Sequence, residues 1–172
     1  LRKRESLIEH NDVINLVTFM VSLPVLMVLS IAFAPEEVTR WYWPIAVVQI
    51  VLEFISFIFL MKALKSGDIS LVSPLLCFTV IFTAILSPFI LSQTVSVWSL
   101  IGILLVVGGA YSIATSKGKK GFLHPLKSLS HNKAAIYAIV TAMLWSVGAQ
   151  FFSLGIENSS VFFHLLVMST GL

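Results

Sequence analysis

Gln49, Glu53 and Ser56 are the residues whose types and spacing most suggest chemistry in this chain. They recur at i, i+4, i+7, so on a helix they stack along one face. Residues 43–64, WPIAVVQIVLEFISFIFLMKAL, surround them with an apolar stretch long enough to cross a bilayer, and Glu53 is the one charge lying deep inside any such stretch of the sequence. A carboxylate at that depth costs at least about 2.5 kcal/mol on insertion scales, so it is kept where it faces a bundle interior or a water-filled cavity. Such a carboxyl can exchange a proton as a cavity opens to alternate sides. It can also stay protonated and tie its helix to a neighbour by a hydrogen bond.

Further candidates sit in other apolar stretches. Residues 69–91 hold Ser73-Pro74 and Ser87-Pro88, with Thr79 and Thr83 one turn apart. Proline removes an amide donor and frees the carbonyl four residues back, and loosened backbone at membrane depth is tolerated where protein or a cavity satisfies it. Trp145 lies mid-stretch in residues 134–156, away from the interface where Trp concentrates, and it could line a cavity together with Gln150. His164 is a further intramembrane ionisable group. Gly102, Gly108, Gly109 and Ser112 offer a small face for close helix packing. The expected pathway set is therefore Gln49, Glu53, Ser56, Ser73, Pro74, Trp145 and Gln150.

The elements that must position these residues follow from composition. Of the 172 residues 58% are apolar and 11% charged, with a mean hydropathy of +0.98, whereas soluble domains carry about 25% charged residues. Five stretches, 13–33, 43–64, 69–91, 97–115 and 134–156, have the roughly 20 apolar residues a membrane helix needs. A sixth, 160–172, is too short to cross, which with the opening Leu1 reads as a fragment cut at both ends. The stretches are apolar on every side instead of alternating, which predicts helices and not barrel strands. Glu5, Glu9 and Asp12 interrupt the basic start, and the run that follows is too long for a secretory signal. Cys77 has no second cysteine to pair with. No H-E-x-x-H, G-x-S-x-G, P-loop or G-x-G-x-x-G occurs, so neither an enzyme nor a cofactor is expected, and His124 and His131 lack a third metal ligand.

Charge supplies an orientation. Ten of the eleven Lys and Arg residues fall on one side of the expected spans and only Arg40 on the other, which marks the ten-residue side as cytoplasmic. The net charge of +3 needs no nucleic-acid partner. Trp41, Tyr42 and Trp43 are expected as anchors at the opposite water boundary. The basic loop 116–133, in which Phe122, Leu126 and Leu129 recur on one helical face, reads as a tether that could lie on the inner leaflet.

An internal echo lays residues 158–169, NSSVFFHLLVMS, on residues 11–22, NDVINLVTFMVS. The run from Ala63-Leu64 through Val72-Ser73-Pro74-Leu75 to the Gly-rich stretch ending at Tyr111, followed by Leu144-Trp145-Ser146, resembles the EamA-type signature of the drug/metabolite transporter superfamily. That resemblance covers about residues 11–172 and implies an all-α, polytopic transmembrane bundle that is part of a ten-helix, inverted-repeat (5+5) fold. Residues 1–115 would be a first repeat lacking its first helix, 116–133 the inter-repeat loop and 134–172 the start of a second repeat. It also implies a secondary transporter of a small metabolite or drug-like molecule in the plasma membrane of a bacterium or archaeon. The partners would be a small-molecule substrate, the lipid bilayer, a coupling proton or cation, and as a further candidate a second copy of the chain. The alternative from another class is a non-transporting membrane scaffold or subunit. Gln93 stands where such proteins commonly carry Glu, and residues 151–154 lack the Lys often found after the Trp-Ser pair. The family's usual cytoplasmic termini would put Leu1 outside; the charge count puts it inside, and charge is the physical determinant.

Overall fold

The computed structural model describes residues 20–35, 37–67, 69–93, 96–115 and 132–171, and among them every regular element is an α-helix. Residues 13–19, the basic start, Asp68 and the whole of loop 116–131 with its two histidines lie outside the described residues, as do most of the residues in the 11–22 half of the echo. The helices are α1 (Met20–Ala32), α2 (Tyr42–Ser66), α3 (Ile69–Leu76), α4 (Phe78–Ile90), α5 (Val97–Thr115), α6 (Lys133–Glu157) and α7 (Val161–Gly171). Three described spans, Tyr42–Ser66, Leu71–Ile90 and Lys133–Glu157, are long and apolar enough to cross a membrane.

Local signals set the helix ends. Asn132 accepts the Ala134 amide at 3.0 Å at the start of α6, Ser96 accepts that of Ser99 at 3.1 Å before α5, and Ser160 that of Phe163 at 3.4 Å before α7. Each satisfies an amide that the first helical turn leaves without a partner. The stretch 69–91, expected as a single kinked helix, is two helices joined by a turn at Cys77. Pro74 brings no amide to the carbonyl of Ser70, and the chain answers by tightening: the Cys77 amide donates to the Pro74 carbonyl at 3.3 Å and the Val80 amide to the Cys77 carbonyl at 3.2 Å, both spanning three residues. Pro88, by contrast, is held inside α4. That helix ends at Ile90 with Leu91 as its cap, and Ser92 just beyond, whose φ of 53° is left-handed, turns the chain toward α5.

The chain forms two compact units, Leu1–Ala46 with Gly155–Leu172, and Val47–Leu154. In the second, the core is a three-way junction of Ala63 from α2, Val72 and Leu75 from α3, and Ala134, Ala135 and Ala138 from α6. Small side chains let these helices approach closely. The approach is tightest at Gly67, where an added Cβ would lie 2.6 Å from that of Ala134. Phe59 meets Tyr137 at 6.0 Å and Gly148 faces Glu53, so positions rising along α2 meet positions falling along α6 and the pair runs antiparallel. The opposite side of α2 exposes Val47, Val51, Phe54 and Ile58, an apolar stripe suited to lipid.

In the first unit the Thr39 amide donates to the Asn158 carbonyl at 3.0 Å, the Ser160 hydroxyl to the Phe33 carbonyl at 3.3 Å, and Phe33 packs on Phe162 at 5.2 Å. Tyr42, expected as an interfacial anchor, is wholly buried instead. Its hydroxyl meets His164 Nδ1 at 3.2 Å and also hydrogen-bonds Ser159. Trp41 and Trp43 on either side of it are exposed. A side chain with a polar tip can anchor at a headgroup or find its partner inside, and His164 supplies that partner.

Candidate functional site

Along α2, Tyr42, Ala46, Gln49, Glu53, Ser56, Leu60 and Ala63 are spaced alternately by four and three residues, the repeat of a packing seam. Gln49 and Ser56 on that stripe are buried and Glu53 is half-buried. On α6, Thr141, Ser146 and Gln150 are buried; Gly148 faces Glu53, whereas Ser146 and Gln150, two positions either side of it, lie about 160° round the helix, and Gln150 reaches α4. α2 is thus polar along its buried stripe and apolar outside.

The hydroxyls of the seam are used within their own helices. Ser56 donates to the carbonyls of Leu52 at 2.6 Å and Glu53 at 3.0 Å, Thr141 to Tyr137 at 2.8 Å, and Ser146 to Met143 at 2.7 Å. Such back-bonding uses the one proton each hydroxyl can donate and leaves it only as an acceptor. What remains of the polar groups is the Glu53 carboxyl with the Gln49 and Gln150 amides. The Glu53 carboxyl lies beside Gly148, with Oε1 3.7 Å from where a Cβ would be, so the glycine clears ordinary contact room for it. Gln150 donates through Nε2 to the Thr83 carbonyl of α4 at 3.2 Å. Because that carbonyl can only accept, the amide nitrogen must face it, and Oε1 is left buried without a hydrogen-bond partner among the described residues. A buried acceptor left unpaired costs about 1–3 kcal/mol, which makes it a place for an incoming donor.

The expected pathway residues therefore separate. Gln49, Glu53 and Ser56 share the buried stripe of α2, where Glu53 meets Gly148 of α6, whereas Gln150 is buried on the side of α6 that meets α4. Trp145 is half-buried on α6. Ser73 and Pro74 lie in α3, which packs on Ala63, ten residues and about 15 Å along α2 from Glu53; Ser73 is exposed and its carbonyl faces Cys77 Sγ at 3.7 Å. A Cβ built at Gly102, Gly108 or Gly109 meets no described atom within 4 Å, and the Ser112 hydroxyl donates to the Gly108 carbonyl at 2.8 Å. The glycines that do meet neighbours are Gly67, Gly148 and Gly155, the last lying under the His164 ring with both nitrogens 2.7 Å from a would-be Cβ.

A separate, widely open cavity of about 520 Å³ lies between α4 and α5. Thr79, Thr83 and Ser87, one turn apart on α4, form one wall; Gln93 and Ser99 approach from the α5 side, and Gly102 forms part of the lining. Thr79 and Thr83 were legible from their spacing, but that α5 would stand off from them was not.

The model of the EamA-like transporter family matches residues 8–115 of the chain. Neither the curated proteins nor the solved structures contain a match.

Proposed function

We propose, for a chain that belongs to the EamA-like transporter family, that a small molecule crosses the bilayer by alternating access past the polar seam of α2 and α6. Membership makes the chain an integral, multi-pass membrane protein of the drug/metabolite transporter superfamily. The observation that carries the finer reading is the Glu53 carboxyl beside Gly148, in a seam whose hydroxyls are all turned back on their own helices. Packing would be served by the hydroxyls and alanines; a carboxyl half-open beside a glycine serves a moving partner. In this reading Gln49, Glu53 and Gln150 line the pathway, Glu53 takes and releases the coupling proton, and the turn at Cys77 after Pro74 is a hinge. The whole protein would have ten helices in two inverted repeats, with substrate held between them.

A packing role has one observation in its favour, the Gln150 to Thr83 bond that ties α6 to α4. Proteoliposomes of the full-length protein loaded with a pH-sensitive dye separate the two. Amino acids, sugars and nucleosides are added singly. A carrier gives a lumenal pH change with at least one of them, and Glu53→Gln reduces it about tenfold, a loss of about 1.4 kcal/mol, while the melting temperature holds. A scaffold gives no response with wild type, and the same substitution impairs assembly.

A further inference from the structure

The α4–α5 cavity has no part in the proton reading above, and among the described residues its lining contains no charged and no aromatic side chain. Thr79 and Ser99 are engaged, Thr79 with the Leu76 carbonyl at 2.7 Å and Ser99 with Ser96 at 3.0 Å. The hydroxyls of Thr83 and Ser87 make no hydrogen bond among the described residues. Four residues apart, they stand about 6 Å from each other along the helix axis, so one ligand group between them is within reach of both. Ala84, also in the lining, lies four residues before Pro88, and its carbonyl has therefore lost its helical donor. Two uncommitted hydroxyls and a backbone acceptor thus share one wall with Val80 and Ala84, and Ile103 adds apolar surface from α5.

We infer that this cavity is a binding site for a small uncharged molecule with a hydroxyl or amide head and a short aliphatic body. An ion entering it would shed water against a wall with no counter-charge, at a cost of several kcal/mol. A flat aromatic ring would find nothing to stack on. A neutral donor and acceptor finds Thr83, Ser87 and the Ala84 carbonyl, and about 520 Å³ is room for a molecule of ordinary ligand size. Gly102 decides the depth: a Cβ there meets nothing within 4 Å, so a larger residue would grow into the cavity without displacing a neighbour.

The test is photolabelling of the full-length protein in nanodiscs with a diazirine-bearing alkyl diol, beside the matched alkylammonium and alkylcarboxylate. Phe89 and Trp98, each 82% exposed, report labelling from the lipid phase. The diol is expected to label Thr83, Ser87 or Ile103, and excess 1,2-hexanediol to compete. The paired Thr83→Val, Ser87→Ala variant should lower that labelling about thirtyfold, as loss of two hydrogen bonds of about 1 kcal/mol each would. Gly102→Leu should abolish it and Gly109→Leu, outside the lining, should not. Equal labelling by all three probes, or labelling confined to Phe89 and Trp98, or insensitivity to Gly102→Leu would overturn the site. Glu53→Gln should leave diol labelling unchanged, so failure of the carrier reading and failure of this one are read separately.

Discussion

Gln150 concentrates the difference between a residue that packs and one that works. Its amide nitrogen ties α6 to α4, and its Oε1 is buried with no partner among the described residues. Leucine at this position removes a buried acceptor that costs about 1–3 kcal/mol unpaired, together with one hydrogen bond of about 1 kcal/mol, so for folding the two nearly cancel or favour the variant. Gln150→Leu is therefore expected to keep or raise the melting temperature, by up to a few degrees, while cutting flux about tenfold or more. Thermal unfolding in detergent set beside uptake in proteoliposomes checks this; a variant that transports as wild type would remove Gln150 from the pathway. Glu53 offers the complementary case, since its neighbour Gly148 leaves ordinary contact distance to a Cβ. An alanine fits there, whereas a branched side chain would displace the carboxyl.

At the scale of elements, close approach is the controlling variable. The α6–α7 corner brings the His164 ring down on the Gly155 backbone, while Tyr42 completes the contact from the start of α2. Gly155→Ala is expected to destabilise by about 1–3 kcal/mol, the usual cost of overpacking. Tyr42→Phe, which removes only a hydroxyl, should cost about 1 kcal/mol. Melting curves of the two variants order them, and an unchanged Gly155→Ala would contradict the packing described. The break at Cys77 belongs to this scale too. Proline two places before the end of α3 explains why one apolar stretch becomes two helices, a distinction that hydropathy over the whole window cannot make because both pieces are equally apolar.

For the whole molecule, the polar-inside, apolar-outside arrangement of α2 inverts the pattern of a soluble helix, and it accords with a chain solvated by lipid. Orientation rests on charge. With Cys77 replaced, Arg40→Cys is expected to react with a membrane-impermeant thiol reagent in intact cells, and Lys65→Cys only after permeabilisation. The reverse result would show the fold inserted with its family's usual termini and against its own charge bias.

The sequence by itself determined that the chain is helical and membrane-embedded, because a backbone in lipid must satisfy its own hydrogen bonds over about 20 residues. It also determined that Gln49, Glu53 and Ser56 share a face, because helical periodicity is a local property. What those residues face was decided by tertiary structure: Gly148, which meets Glu53, lies about a hundred positions further along the chain, and no local rule selects it from other small residues. Tyr42 shows the same limit, since an aromatic with a polar tip near a helix end reads as an anchor until His164, 122 positions away, supplies a buried partner. The α4–α5 cavity was still less legible. The hydroxyls that line it are visible in the sequence, but a cavity is the space that packing leaves unfilled, and packing is a relation between elements.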